Sequence, residues 1–247
     1  MTNIPDYIED RIRRPAPANS AIVAGSTPVI SFGNARIATV ATLGLNPSRI
    51  EFLDQNGNEL TGESRRLATH CSLGMSDLVN APPKIVAKVL EDCNGYFQRN
   101  PYKRWFDQLM PVLVSCRTSY YDGSACHLDL VQWATDPTWG KLKPIDVRTK
   151  LLDEDAQFLA GQLQNENLNL LLVNGMAVIR QLKNTIGQDL EEIEPMVGYA
   201  RQNTRMFVGS ALGRVRVVGW STNLQSSFGV TKELRAELAN RVGKLSF

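Results

Sequence analysis

The stretch that decides the fold lies near the start of the chain and reads Ala38-Thr39-Val40-Ala41-Thr42-Leu43-Gly44-Leu45-Asn46-Pro47-Ser48. Its first half is a short apolar, β-branched run, which is typical of a strand buried on both faces. Its second half is a turn, because Gly44 permits a sharp change of direction and Pro47 disfavours helical geometry at Asn46. The stretch therefore predicts a buried strand followed by a polar amide. Asn-Pro-Ser is also common in ordinary turns, which leaves a purely structural role for Asn46 open.

Similar patterns recur along the chain. Apolar runs at residues 36–45, 127–133, 168–174 and 214–220 predict four strands. Periodic patterns predict helices at residues 81–92, 102–116, 153–165, 177–185 and 231–245. Strands that alternate with helices predict an α/β fold, a three-layer α/β/α sandwich with a central, mainly parallel four-stranded sheet. In such sheets, ligands bind at the carboxyl ends of the strands.

Length and composition indicate one globular domain. The chain has 247 residues, and its polar, Pro-containing first 20 residues predict an arm that lies on the surface or is partly disordered, before a single domain at 21–247. A net charge of +2 means that any nucleic-acid surface must be local. No apolar run approaches the ~20 residues that span a bilayer. We therefore expect a cytoplasmic protein without a membrane partner.

Soft metal ligands are few and scattered: Cys71, Cys93, Cys116, Cys126, His70 and His127. None of the cysteines forms a Cys-x-x-Cys pair, which is the common spacing in zinc and iron–sulfur sites. We expect reduced, mostly buried thiols, no metal and no iron–sulfur cluster.

Polar side chains also mark the later strand ends. In the second predicted strand, alternation places His127 and Asp129 on one face. A carboxylate in an apolar strand is costly unless it is paired, so Asp129 is either the partner of an arginine or part of a site. His127 fits a core or rim histidine. The fourth strand precedes Ser221-Thr222-Asn223-Leu224-Gln225-Ser226-Ser227, a polar run that is unusual for a simple connector.

Together, the four strand ends resemble those of the uracil-DNA glycosylase superfamily, over roughly residues 28–242. The most specific match is Gly44-Leu45-Asn46-Pro47-Ser48, which is similar to the Gly-x-Asn-Pro loop of the mismatch-specific and single-strand-selective branches. Residues 128–132 resemble the strand that recognises the base, where the family usually has Asn at the position of Asp129. Residues 221–227 stand in place of the DNA-gripping loop but lack its His and Pro.

The resemblance implies a monofunctional DNA glycosylase that flips out a base, hydrolyses its glycosidic bond and leaves an abasic site without a cofactor. Asn46 would position the attacking water, and Asn223 or Ser221 would replace the missing histidine as a donor. Leu224 would fill the gap left by the flipped base, with a core leucine as the alternative.

The remaining candidates are assigned to the base and to the DNA backbone. Base contacts would come from Asp129, Ser48, Leu45 and Phe52, where Phe52 is either the aromatic platform or a core residue. DNA contacts would come from Leu224, Gln225, Ser226, Arg49, Arg65 and Arg66, with Lys103 and Arg104 as further candidates. Each cation alone also fits an ordinary solvated charge.

Asp129 and Ser48 bear on which base is removed. An ionised carboxylate only accepts hydrogen bonds, so Asp129 favours the amino group of cytosine over the O4 atom of uracil. Ser48 is small where the uracil-specific branch has a bulky aromatic residue, which leaves room at C5. We expect a monomeric enzyme that excises a 5-substituted cytosine, hydroxymethylated or glucosylated as in phage DNA, in anti-phage defence. A uracil or mismatch repair glycosylase and a catalytically silent DNA- or nucleotide-binding module remain alternatives.

Overall fold

The computed structural model describes residues 4–18, 20–164, 167–187, 189–197, 203–226 and 229–246. The strands are β1 (Val40–Gly44), β2 (Ala125–Asp129), β3 (Leu170–Asn174), β4 (Glu191–Met196), β5 (Thr204–Ala211) and β6 (Val215–Trp220). The α-helices of the described residues are α1 (Asp6–Arg13), α2 (His70–Leu73), α3 (Pro83–Asn94), α4 (Lys103–Phe106), α5 (Met110–Ser115), α6 (Asp146–Gln164), α7 (Met176–Ile186) and α8 (Lys232–Leu245).

The strands form one six-stranded sheet in the order β2-β1-β3-β6-β5-β4. Neighbours from β2 to β6 are parallel, whereas β5 and β4 are antiparallel additions at one edge. The predicted α/β class is confirmed, but the prediction of a four-stranded sheet is wrong. The strand β4 escaped prediction because it is an exposed, Glu-rich edge strand without apolar alternation. The strand β5 is joined to β6 by a tight turn in which Leu212 and Gly213 have φ values of 54° and 68°.

Apolar side chains alternate along the central strands and form a core on each face of the sheet. One core joins α3, α5 and α8 to the strands, and the other joins α6 and α7 to them. Leu172 and Val218 belong to the first core, while Leu171 and Val217 belong to the second. This alternation follows the two-residue period of a strand and accounts for the continuous apolar runs in the sequence.

Three of the predicted helices, at 81–92, 177–185 and 231–245, match α3, α7 and α8 within two residues. The predicted helix at 102–116 is broken into α4, a 3-10 turn and α5. Pro111 explains the break, since it lacks the N–H that a continuous helix requires but fits the first turn of α5. The predicted helix at 153–165 begins earlier, as α6, and its last residue, Asn165, lies outside the described residues.

The surface arm expected at residues 1–20 is a wrong prediction for the described part of this segment. It contains α1, which buries Ile8, Arg11 and Ile12. Arg11 donates hydrogen bonds to Asp155 Oδ2 at 3.0 Å and to Gln132 Oε1 at 3.1 Å, so a charged residue enters the interior with its partners. The sequence did not reveal this helix, because a charged residue such as Arg11 suggests a solvent-exposed segment, whereas an arginine that is paired with a carboxylate can be buried. None of the described helices combines the length and apolar character needed to cross a bilayer.

Candidate functional site

A cavity of about 900 Å³ opens at the carboxyl ends of the four parallel strands. Residues from all four strand ends contribute, among them Gly44 at the end of β1, Asp129 in β2, Asn174 in β3 and Asn223 after β6. The faces of α6 and α7 extend the cavity into a groove. This is the position at which parallel α/β sheets bind ligands, because the strand ends and helix N-termini converge there.

The loop after β1 holds Asn46 in a fixed orientation. Its Nδ2 group lies 3.1 Å from each of three acceptors, which are the carbonyl oxygens of Pro47 and Trp133 and the hydroxyl of Thr135. No described residue donates to Asn46 Oδ1, and the half-buried side chain lines the cavity. Because the amide hydrogens are engaged, the group that Asn46 offers to a ligand or water is a hydrogen-bond acceptor.

The three other residues predicted near this loop have different environments. Leu45 and Ser48 line the cavity, and Ser48 Oγ accepts a hydrogen bond from the backbone N–H of Ile50 at 3.4 Å. Phe52 is only 1% exposed and packs in the core, so it cannot be an aromatic platform for a base. Its prediction as a base-binding residue is therefore wrong.

Asp129 and His127 form a buried polar pair at the base of the cavity. Asp129 Oδ1 lies 3.4 Å from His127 Nε2, and no described arginine approaches this carboxylate. On the other side of the ring, Nδ1 lies 2.7 Å from the hydroxyl of Thr42, which lies 2.6 Å from the hydroxyl of Tyr120. Of the two roles that the sequence allowed for Asp129, pairing with an arginine is therefore wrong. Asp129 instead lines the cavity together with His127.

Asn174 orients Asn223 through a chain of hydrogen bonds. Trp220 Nε1, which can only donate, bonds to Asn174 Oδ1 at 2.9 Å, so Asn174 Nδ2 points away from the core. That Nδ2 group donates to Asn223 Oδ1 at 2.9 Å and to Gln225 Oε1 at 3.0 Å. With its oxygen already engaged, Asn223 has its Nδ2 group left as a donor at the cavity wall.

The rest of the loop after β6 differs from the prediction. Ser221 Oγ accepts from the backbone N–H of Arg205 at 2.9 Å and lies outside the cavity, so it braces β5 and is not placed as a donor to a ligand. Leu224 is fully buried in the core, which contradicts its role as a wedge. Gln225 lines the cavity, whereas Ser226 is half-buried outside its lining. The last predicted residue of this loop, Ser227, lies outside the described residues.

Only one of the predicted DNA-binding arginines reaches the cavity. Arg49 lies at its rim, 2.8 Å from Asp136 Oδ2. Arg66 instead donates to the backbone oxygens of Ile50 and Asn100, and Arg65 pairs with Asp92 at 3.5 Å. Neither lines the cavity, and their contact with DNA stays a prediction. The other two candidate cations, Lys103 and Arg104, are exposed and do not line the cavity.

Several cavity residues were missed by the sequence analysis: Trp105, Trp139, Arg148, Asn174, Arg180 and His127 as a site residue. Trp105 and Trp139 are half-buried and offer aromatic faces, while Arg180 is exposed at the rim. The tryptophans gave a usable signal, since this residue type is scarce and favoured in binding sites. The arginines gave none, because nothing in their local sequence distinguishes them from solvated surface charges.

A second buried carboxylate lies beneath the loop. Glu51 is only 2% exposed, and burial raises its pKa to about 7 against the opposing effects of the Tyr96 hydrogen bond and of Arg66. Tyr96 donates to Glu51 Oε2 at 2.6 Å and accepts from the backbone N–H of Tyr102 at 2.9 Å. Glu51 thus joins the loop to the segment that carries Trp105, although it does not itself line the cavity.

The polar groups that line the cavity are amides, hydroxyls, the imidazole of His127, three guanidinium groups and the carboxylates of Asp129 and Asp153. Within the described residues, no three His, Cys, Asp or Glu side chains are grouped so that they could hold a metal ion. The arrangement can orient a water molecule, accept and donate hydrogen bonds to a planar ligand, and hold a phosphate at its rim. No protein-family model and no curated protein matches this sequence.

Proposed function

We propose that this protein is a DNA glycosylase, similar to the uracil-DNA glycosylase superfamily, that excises a 5-substituted cytosine and leaves an abasic site. The observation that carries the proposal is the cavity at the strand ends, where the acceptor of Asn46 and the carboxylate of Asp129 both face a space of about 900 Å³. That volume is in the range of pockets that bind drug-sized ligands, so it has room for a base with a bulky substituent.

Asn46 fits the role of orienting the attacking water. As a glycosidic bond breaks, positive charge grows on the sugar, and a water held by a fixed acceptor can attack it without a strong base. The three hydrogen bonds of Asn46 Nδ2 hold the amide in place before the substrate enters. Such preorganisation is what makes a neutral amide useful in catalysis.

Asn223 fits the role of stabilising the leaving base. Negative charge grows on the base as the bond breaks, so a fixed donor at the cavity wall lowers the barrier. The Nδ2 group of Asn223 is such a donor, because Asn174 engages its oxygen. Arg49 and Arg180 at the rim are suited to the phosphates that flank a flipped nucleotide.

The carboxylate of Asp129 supports cytosine over uracil. It can accept a hydrogen bond from the amino group of cytosine but would repel O4 of uracil. Asp129→Asn should shift the preference towards uracil by about 10- to 100-fold, since one mismatched buried polar contact costs about 1–3 kcal/mol. Ser48 leaves space beside the base, and the groove along α6 and α7 can take a hydroxymethyl or glucosyl group. Removal of such bases would act against phage DNA.

The test is release of base from oligonucleotides that carry cytosine, 5-methylcytosine, 5-hydroxymethylcytosine, its glucosylated form or uracil, in single and double strands. Alkali then cleaves each abasic site, and mass spectrometry identifies the released base. Asn46→Ala should reduce the rate by about 10²–10³-fold. Asn56→Ala, which changes the same residue type at an exposed position outside the cavity, is the matched control and should keep full activity. Unchanged turnover in Asn46→Ala would refute the assignment.

One observation favours a second candidate, a nucleotide- or DNA-binding protein without catalysis. Leu224 is buried, so the loop after β6 lacks the apolar side chain that was expected to enter the base stack. Such a protein would bind nucleotides in the cavity and release no base from any oligonucleotide. Equilibrium dialysis with free nucleotides, run beside the release assay, separates the two functions.

A further inference from the structure

The pair formed by His127 and Asp129 is buried and lines the cavity, and its carboxylate lacks hydrogen-bond donors among the described residues. The two side chains are 4% and 3% exposed, yet no described residue donates a hydrogen bond to the Asp129 carboxylate. The 3.4 Å separation of Asp129 Oδ1 and His127 Nε2 exceeds the usual 2.7–3.2 Å of an N–H···O hydrogen bond. A buried carboxylate without donors is costly, which indicates that a ligand completes the site.

The sheet register places this pair opposite a residue without a side chain. Thr42 pairs with His127 and Gly44 pairs with Asp129 across the parallel strands β1 and β2. A Cβ atom on Gly44 would lie 2.5 Å from Asp129 Oδ1 and 2.9 Å from His127 Nε2. Gly44 therefore leaves the space that both polar atoms occupy.

Hydrogen bonds behind the ring decide which nitrogen of His127 carries the proton. Tyr120 is 1% exposed, and its hydroxyl has Thr42 as its one partner among the described residues, so Tyr120 must donate to Thr42. Thr42 then donates its own proton to His127 Nδ1 at 2.7 Å. Because Nδ1 accepts, the proton of the neutral ring sits on Nε2. The opposite arrangement would leave either the Thr42 or the Tyr120 hydroxyl proton without an acceptor, and it would set two acceptors, Nε2 and the carboxylate, against each other.

We infer that His127 and Asp129 together recognise an amino group beside an unprotonated ring nitrogen, the edge that cytosine presents and uracil reverses. Asp129 accepts from the amino group, and His127 Nε2–H donates to the ring nitrogen. Uracil would face the carboxylate with O4 and the Nε2–H with its own N3–H, so both contacts would fail. Thr42 and Tyr120 are positioning residues in this scheme. The inference deepens the proposed function, on which it rests for its DNA substrate.

The first experiment measures the tautomer without any substrate. The chain has two histidines, so a His70→Gln variant labelled with ¹⁵N isolates the signals of His127. The expected spectrum shows a protonated Nε2 and an unprotonated Nδ1 at neutral pH. Thr42→Val should mix the tautomers, whereas Thr42→Ser keeps the hydroxyl and should keep the spectrum. A wild-type ring protonated at Nδ1 would overturn the inference.

The second experiment compares binding of 1-methylcytosine and 1-methyluracil, whose methyl groups stand in for the sugar. Two reversed contacts should favour 1-methylcytosine by about 10²-fold, and Thr42→Val should lose about tenfold of this preference while Thr42→Ser retains it. Equal binding of the two bases would refute the inference. Neither readout involves bond cleavage, so a protein that shows this preference but releases no base would refute only the glycosylase proposal.

Discussion

Gly44→Ala tests how closely the backbone of β1 approaches the side chains of Asp129 and His127. The added Cβ would lie 2.5 Å from Asp129 Oδ1, whereas carbon–oxygen contacts settle near 3.3–3.6 Å, so the carboxylate or the strand must move by about 1 Å. Displacement of a reacting or recognising group by this distance costs about 10² in rate. The crowding should also lower the free energy of unfolding by about 1–3 kcal/mol. We therefore expect a folded protein with a large loss of function.

The assay measures base release and 1-methylcytosine binding beside urea unfolding. Gly140→Ala is the matched control, because Gly140 lines the same cavity and a Cβ there would meet nothing within 4 Å. The control should retain both activity and stability. Wild-type binding and turnover in Gly44→Ala would refute the claim that this glycine makes space for Asp129 and His127.

Three further predictions concern stability. Burial raises the pKa of Glu51 to about 7 from its ordinary 4.5, so the wild type should lose about 3 kcal/mol of unfolding free energy as pH rises between these values. Glu51→Gln should lack this loss. If urea titrations give the wild type and Glu51→Gln the same dependence of unfolding free energy on pH, the prediction is contradicted. Arg11→Ala leaves the buried Asp155 with only the backbone N–H of Gln132 at 2.8 Å and the more distant Arg14 at 3.9 Å, and should cost about 3–5 kcal/mol. Arg13→Ala, in a part-exposed pair on the same helix, should cost under about 1 kcal/mol, and similar losses for both variants in calorimetry would argue against the buried pair. Leu224→Ala should cost about 2–5 kcal/mol as a core truncation, and unchanged stability with weakened DNA binding would restore the wedge.

The central sheet could be predicted because its parallel strands are buried on both faces. Such strands form continuous apolar runs, as in β1 and β3, and a sequence pattern detects them directly. The strand β4 has exposed glutamates, and its place depends on pairing with β5, which is a tertiary contact. The helix α1 was missed for a similar reason, since its buried arginine has meaning only beside Asp155.

The site could be predicted in part, by one rule. Because parallel strands bring their carboxyl ends together, Asn46, Asp129 and Asn223 were expected to meet, and the structure places all three on one cavity. The rule does not predict which residues near the strand ends face the cavity and which face the core. Leu224 and Phe52 pack into the core, while Trp105 enters the cavity from a helix that is distant in sequence.

The buried pair of Arg11 and Asp155 also constrains how the chain reaches its folded state. Arg11 is made early in synthesis, but its partners Gln132 and Asp155 follow 121 and 144 residues later. Until they emerge from the ribosome, burial of the guanidinium would leave a charge without compensation, so α1 must wait for α6. Contacts of such long sequence separation slow folding. Nascent chains that stop before Asp155 should therefore leave α1 open to protease, and docking of this helix should be among the last events of folding.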